Sequence, residues 1–179
     1  MRKLGETDIA NKKIALRVDL NVPIKNERVL DDTRILAIVP TLKYLEKKAA
    51  KVILLSHFGR PEPGIFNSDF SLRPVRKRLA ELLNKEVPFF KSVGDVSFDH
   101  DIGLLENTRF LAGELENDIE LARQLASLAE VYVFDAFGTS HRAHASTHGA
   151  IQASPSSCAG LLLENEIEAL KKATRSQES

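Results

Sequence analysis

The chain has 179 residues, 43% of them hydrophobic, and its 25 basic and 25 acidic side chains give a formal net charge of zero. That length suits one domain of about 100–200 residues, and the balanced charge argues against a protein that coats nucleic acid. No apolar run approaches the roughly 20 residues of a membrane helix, and the first residues lack the apolar core of a secretory signal.

Short apolar runs separated by turn residues are the first recurring feature along the chain. None alternates between apolar and polar residues as a strand with one solvent-exposed face would. Continuous apolar strands usually lie in parallel sheets that are covered on both faces. The predicted strands are Ile14–Val18, Val52–Leu55, Val87–Phe90, Ile102–Leu105 and Val131–Phe134.

Segments with helical spacing of apolar residues lie between or after these runs. Their starts are marked by Asp31 or Asp32, by Ser71, and by Asn117 or Asp118, and a fourth helix covers about 159–173. Pro40 predicts a kink in the first helix, or a restart with proline in its first turn. The alternation predicts an α/β fold with three α/β/α layers and a Rossmann-like, doubly wound parallel sheet.

Polar and charged residues follow the predicted strands. In open parallel sheets, ligands bind outside the carboxyl ends of the strands, so we expect these residues to share one rim. They are Asp19 and Asn21 after the first strand, His57 and Arg60 after the second, Arg109 after Ile102–Leu105, and Asp135, His141, Arg142 and His144 after the last. Arg34 opens the first helix from the same edge.

The cations expected at this rim are predominantly arginines. A guanidinium is a rigid fork that matches phosphate and carboxylate groups, whereas the lysine ammonium is a movable point charge. Arg34, Arg60, Arg109 and Arg142 would repel one another unless an anion lies among them. The pattern therefore predicts a small, highly anionic metabolite. Taken singly, Asp19 and Asn21 are equally consistent with turn formers, and Arg34 with an exposed helix start.

Other catalytic signals are absent or compete with this interpretation. The sequence has no G-x-x-x-x-G-K-[ST] phosphate loop, no G-x-G-x-x-G dinucleotide turn and no G-x-S-x-G nucleophile. His141, His144 and His148 have the spacing of some zinc ligands, but Arg142 lies among them and disfavours a cation. We therefore predict no metal site, and keep a metal-dependent hydrolase as an alternative. The single cysteine, Cys158, cannot form an internal disulfide, which favours a reducing, cytoplasmic compartment.

Read together, the motifs at the strand ends closely resemble those of the phosphoglycerate kinase family. The matching segments are RVDLNVP (Arg17–Pro23), DDTRI (Asp31–Ile35), SHFGRP (Ser56–Pro61), LLENTRF (Leu104–Phe110), DAFGTSHRAHAST (Asp135–Thr147) and CAGLLLENEIEAL (Cys158–Leu170). Their order and spacing match across almost the whole chain. Phe58, Thr108 and Phe134 depart from common family residues, but none of these changes removes a charged group.

The resemblance implies that 1–179 is the amino-terminal, acid-binding domain, with 159–174 as the helix that leads to the interdomain hinge. It also implies the role of each site residue. Asp19 and Asn21 would contact the glycerate end of the substrate, and Arg34 would be catalytic, stabilising the phosphoryl group in transfer. His57, Arg60, Arg109 and Arg142 would surround the carboxylate and the 3-phosphate.

The family transfers a phosphoryl group reversibly between 1,3-bisphosphoglycerate and ADP, giving 3-phosphoglycerate and ATP. Its members are about twice this length, and their carboxy-terminal domain holds Mg-ATP or Mg-ADP. We therefore expect a monomeric fragment that binds phosphoglycerate, contains no cofactor site and has no turnover alone. We expect no nucleic-acid or membrane partner. A non-catalytic binding module for phosphorylated acids remains an alternative.

Overall fold

The computed structural model describes residues 1–139 and 142–178. Its strands, in chain order, are β1 (Arg2–Lys3), β2 (Lys13–Val18), β3 (Ile24–Lys25), β4 (Arg28–Val29), β5 (Lys51–Leu55), β6 (Phe89–Phe90), β7 (Ile102–Leu105), β8 (Val131–Asp135) and β9 (Ser157–Ala159). Seven of them form one sheet in the order β1-β9-β8-β2-β5-β7-β6. All neighbouring pairs in this sheet are parallel, whereas β3 and β4 form a separate antiparallel pair.

Helices cover both faces of the sheet and produce the three predicted layers. The helices are α1 (Thr33–Ala37), α2 (Val39–Lys47), α3 (Arg73–Leu83), α4 (Ile119–Ala126), α5 (Ala150–Ala153) and α6 (Leu161–Glu178). Leu16 of β2 belongs to the apolar cluster that includes residues of α1, α2 and α3. Ala15, the preceding residue, belongs to the cluster that includes α4 and α5. Because side chains alternate along a strand, β2 contributes to both halves of the core. The predicted doubly wound fold is confirmed.

Several local predictions are refined by the structure. Helix α1 ends at Ala37 and α2 restarts at Val39 with Pro40 in its first turn, which confirms the restart. Asp118 caps α4 by accepting a hydrogen bond from the Leu121 N–H at 3.0 Å. Ser71, predicted to cap α3, lies one residue before the actual N-cap, Leu72.

The last helix begins at Leu161, later than predicted, because the preceding residues form β9. No helix among residues 1–139 and 142–178 is both long and apolar enough to cross a membrane. Cys158 is a free, buried thiol in β9, where burial raises its pKa.

Candidate functional site

The carboxyl ends of four adjacent strands define one rim of the sheet. Strand β2 lies between β8 and β5, with Val18 paired to Asp135 on one side and Arg17 to Leu55 on the other. The chain runs from β2 toward β5 on one side and later returns to β8 on the other, so the strand order reverses at β2. Such a reversal opens a crevice at the carboxyl ends of the strands.

Hydrogen bonds join the loops that follow β2 and β5. The buried Ser56 hydroxyl accepts from the Leu20 N–H at 2.9 Å, and the Asn21 side-chain oxygen accepts from the Gly59 N–H at 3.0 Å. Asp19 Oδ1 accepts from the Asn21 N–H at 3.0 Å. The Asp19 side chain therefore forms a local turn, whereas the Asn21 side chain joins two loops. The Asn21 side-chain N–H groups and the second Asp19 oxygen have no hydrogen-bond partner among residues 1–139 and 142–178.

The loop after β7 is fixed by Asn107. Its side-chain oxygen accepts from the N–H groups of Phe58 and Arg109, each at 3.0 Å. Its amide nitrogen donates to the carbonyls of Phe58 at 2.6 Å and Phe70 at 3.0 Å. A buried amide with this many bonds holds the loops after β5 and β7 at a fixed separation. Because Asn107 also accepts from the Arg109 N–H, it positions Arg109 at the rim.

Arg34 lies at the β2 side of the rim. Its Nη1 donates to the Asn21 carbonyl at 2.7 Å and lies 3.4 Å from Asp19 Oδ1. Its side chain is 54% exposed. The structure thus brings Arg34 together with Asp19 and Asn21, as predicted, and leaves its guanidinium largely in solvent.

Arg109 lies in a strongly cationic environment. Its side chain is buried, its Nη1 donates to the Gly59 carbonyl at 2.6 Å, and its Nε has no hydrogen-bond partner among the described residues. Burial lowers the pKa of Arg109, and the positive charges of Arg142, Arg17 and Arg60 lower it further. Two of the other predicted arginines, Arg60 and Arg142, therefore lie within electrostatic reach of Arg109, as expected for the walls of an anion site.

His57 lies among the same cations. Burial is the main cause that lowers its pKa to about 2, followed by the charges of Arg17, Arg109 and Arg142. The imidazole is therefore neutral at physiological pH. A neutral ring among arginines can donate one hydrogen bond to an anion without adding to the charge repulsion.

The sequence-based site omitted Arg17, whose side chain is only 1% exposed. Arg17 Nε donates to Ser146 Oγ at 2.9 Å, its Nη2 lies 3.1 Å from His57 Nδ1, and its Nη1 donates to the Val18 carbonyl. The buried carboxylate of Glu114 accepts from the Ser146 N–H at 2.7 Å and the Ser146 hydroxyl at 2.6 Å. An arginine inside an apolar strand is the signal that could have identified this group, since such a charge is rarely buried without partners.

The histidine cluster is only partly described. His141 lies outside the described residues, His144 precedes a π-helical turn over Ala145–Gly149, and His148 is exposed. Burial lowers the pKa of His144, and Arg109, Arg142 and Arg17 lower it further. In the described part of the chain, no group of three or more histidine, cysteine or carboxylate side chains could hold a metal ion.

A cleft with a volume of about 710 Å³ lies beside α6 and extends to the segment that follows β8. Its walls include Phe134, Phe137, Ile151 and Leu163. An apolar cleft does not suit a small, multiply charged anion, because the charges would lose water without gaining partners. The candidate site is therefore the cationic rim.

Comparisons with known proteins agree with this geometry. Residues 4–179 match the family model described as phosphoglycerate kinase. The chain is 48% identical over 171 residues to the phosphoglycerate kinase of Desulfovibrio desulfuricans, covering 95% of this chain and 44% of that protein. It is 50% identical over 183 residues to the enzyme of Thermosipho africanus, covering 98% of this chain and 45% of that protein.

Solved structures give the same result. The phosphoglycerate kinase of Coxiella burnetii superposes with a TM-score of 0.91 at 43% identity, over 96% of this chain and 44% of that one. The enzyme of Pyrococcus horikoshii superposes with a TM-score of 0.84 at 32% identity, over 100% of this chain and 47% of that one. The chain thus spans less than half the length of these relatives.

Proposed function

Because the chain belongs to the phosphoglycerate kinase family, we propose that these 179 residues form the part of that kinase that binds 3-phosphoglycerate and 1,3-bisphosphoglycerate. The reaction is the reversible transfer of a phosphoryl group between the acyl phosphate of 1,3-bisphosphoglycerate and ADP, with a carboxyl group as the acceptor in the reverse direction. We place this activity in glycolysis and gluconeogenesis, in a monomeric cytoplasmic enzyme.

The observation that carries the proposal is the excess of cations over anions at the rim. Arg109 is buried near Arg142, Arg17 and Arg60, with Glu114 as the opposing charge, and its Nε has no hydrogen-bond partner among the described residues. A ligand with a phosphate and a carboxylate would relieve the repulsion and supply acceptors. Each charged hydrogen bond gained would contribute roughly 1.5–3 kcal/mol. His57, Arg60, Arg109 and Arg142 are assigned to these two groups.

Asp19 and Asn21 are assigned to the hydroxyl end of the glycerate. Asn21 uses its side-chain oxygen to hold Gly59, so its amide N–H groups can donate to the ligand. Asp19 can accept from a ligand hydroxyl through the oxygen that Asn21 does not use. The two residues would orient the acid so that its carboxyl group faces the incoming phosphoryl group.

Arg34 is assigned to the phosphoryl group in transfer. Phosphoryl transfer depends on in-line positioning and on stabilising the charge of the moving oxygens. The exposed guanidinium of Arg34 makes its contacts through Nη1, so its remaining N–H groups are available for an anion that approaches from solvent. No covalent intermediate on the protein is required.

The nucleotide is assigned to a part of the enzyme outside these 179 residues. When bound, Mg-ATP or Mg-ADP supplies or accepts the phosphoryl group. The described residues do not fit its magnesium ion, because they hold no cluster of suitable ligands.

Calorimetry on the 179-residue chain tests the proposal. We expect weak binding of 3-phosphoglycerate in the millimolar range, and no turnover when Mg-ADP and 1,3-bisphosphoglycerate are supplied to this chain alone. Glycerol 3-phosphate, which lacks the carboxylate, should bind more weakly and is the matched control ligand. A folded sample that gives no heat at millimolar 3-phosphoglycerate would contradict the assignment.

A further inference from the structure

A buried chain of hydrogen bonds connects Glu114 to His57 through Ser146 and Arg17. The groups themselves determine which atom donates and which accepts in each bond. Arg17 Nε can only donate, so Ser146 Oγ must accept this bond at 2.9 Å. The single hydroxyl proton of Ser146 is then directed to Glu114 Oε2 at 2.6 Å. Glu114 Oε1 also accepts from the Ser146 N–H at 2.7 Å. Both carboxylate oxygens are thus used to hold one serine.

The Nη2 atom of Arg17 determines which ring nitrogen of His57 carries the proton. Arg17 Nη2 lies 3.1 Å from His57 Nδ1, and an arginine N–H has no acceptor capacity. Nδ1 must therefore be the unprotonated nitrogen, and the ring proton must reside on Nε2. The side chains of Arg17 and His57 are only 1% and 6% exposed, so water has little access to either.

We propose that Glu114 and Ser146 are positioning residues: acting through Arg17, they hold His57 as the Nε2–H tautomer, which donates to an anionic oxygen of the ligand. The identity of that ligand as 3-phosphoglycerate rests on the proposed function. The tautomer itself rests on the buried contacts alone. A neutral donor is needed at this place because Arg109, Arg142 and His144 also lie close to the ring.

Glu114 also compensates the charge of Arg17. Burial lowers the pKa of Arg17, and Glu114 is the leading group that opposes this effect. Tyr132, buried beside them, donates from its hydroxyl to the Ser146 carbonyl and so helps to fix the serine. Among the described residues, no hydrogen bond joins Glu114 or Ser146 to Arg34, Arg60 or Arg109. Glu114 does act electrostatically on Arg109, so the His57 tautomer, and not the ligand affinity, isolates the effect that passes through Arg17.

The test is Ser146→Ala, which removes the hydroxyl that joins Arg17 to Glu114. Nitrogen NMR of the His57 ring in the ligand-free chain should show only the Nε2–H tautomer in the parent, and a mixture of tautomers in the variant. The affinity for 3-phosphoglycerate should fall about tenfold, as expected for one weakened hydrogen bond to a charged group. Ser146→Thr, which keeps the hydroxyl, should restore the single tautomer. Ser127→Ala, at the exposed serine that caps the carboxyl end of α4, is the matched control and should change neither measurement.

If Ser146→Ala does not fold, Glu114→Gln provides a second test. Glu114→Gln keeps the shape of the side chain but leaves one acceptor oxygen for the two Ser146 donors, so it should also yield mixed tautomers and weaker binding. A parent protein with the Nδ1–H tautomer, or variants with an unchanged tautomer, would overturn the proposal. If the tautomer changes as expected but the parent binds no 3-phosphoglycerate, the positioning role stands and the proposed function fails.

Discussion

At the scale of single residues, the site combines two kinds of arginine. Arg109 is buried among like charges, whereas the side chain of Arg34 is 54% exposed and makes its contacts through one nitrogen. The first is suited to hold an anion in the ground state, because its Nε is already desolvated and has no hydrogen-bond partner in the described part of the chain. The second is suited to a charge that appears only when a phosphoryl group arrives.

This difference predicts different effects of substitution on binding. Arg109→Ala should weaken 3-phosphoglycerate binding by more than about tenfold, since at least one charged hydrogen bond is lost. Arg34→Ala should change affinity by less than about threefold. Calorimetry on both variants provides the measurement, with Arg123→Ala, at a 63% exposed arginine of α4, as the control. Equal losses in the two site variants would disprove the division of roles.

The lowered pKa of His57 predicts a pH dependence of stability. The folded state binds no proton on this ring until about pH 2, whereas an unfolded histidine binds one below about pH 6.5. Unfolding therefore takes up a proton between these values, and the free energy of unfolding falls as the pH falls. From pH 7 to pH 5 the loss from His57 is about 2 kcal/mol.

Urea denaturation at both pH values measures this effect. Other titrating groups contribute to the total change, so the comparison needs a variant that cannot titrate at this position. His57→Gln should remove about 2 kcal/mol of the pH-dependent loss. An identical pH dependence in parent and variant would show that the ring is protonated in the fold near pH 6.

The positions of the site residues along the chain explain which of them could be predicted from the sequence. Asp19, His57, Arg60 and Arg109 follow strand ends, so the rule for open parallel sheets was sufficient to place them at one rim. Arg17, Ser146 and Glu114 could not be grouped in that way. Their contacts connect positions 129 and 32 residues apart, and such pairing is decided by how α4 and α5 pack on the sheet, not by any local pattern.

At the scale of elements, the long apolar strands and the longer helices were predictable, and the short edge strands were not. Strand β1 consists of two exposed residues, Arg2 and Lys3, and β9 contains a serine and a cysteine. Such strands are defined by hydrogen bonds to a partner and not by their own composition. Strand β6 covers only Phe89–Phe90 instead of Val87–Phe90, since Pro88 has no N–H to donate to a ladder.

The junction between β8, β9 and α6 depends on one buried carboxylate. Asp135 accepts from the Thr41 hydroxyl at 2.7 Å and from the Leu163 N–H at 2.8 Å. It therefore joins α2 to the amino-terminal turn of α6. A Cβ atom at Gly160 would lie 2.3 Å from Asp135 Cγ, so only glycine leaves room for this contact.

Gly160→Ala should therefore destabilise the chain by about 2 kcal/mol or more, because Asp135 must move away from its donors and remain buried. Urea denaturation should show a lower midpoint, and hydrogen exchange should be faster at the start of α6. Gly94→Ala is the matched control, since a Cβ there meets nothing within 4 Å. If Gly160→Ala has the stability of the parent, the residues around Asp135 can move apart without a cost in the free energy of unfolding.

At the scale of the whole molecule, the charges are unevenly distributed although they sum to zero. Cations gather at one end of the sheet, while an apolar cleft of about 710 Å³ lies beside α6. The balanced composition favours no nucleic-acid coat and cannot locate the proposed anion site. The fold brings the ends of β2, β5, β7 and β8 together at one rim.

Amide NMR titration of the 179-residue chain with 3-phosphoglycerate tests most directly whether the ligand binds at the rim. We expect saturable shifts for the amides of Asn21, Gly59, Arg60 and Arg109, with none along α6. Shifts confined to the cleft beside α6, or spread evenly over surface lysines without saturation, would show that the ligand does not bind at the rim.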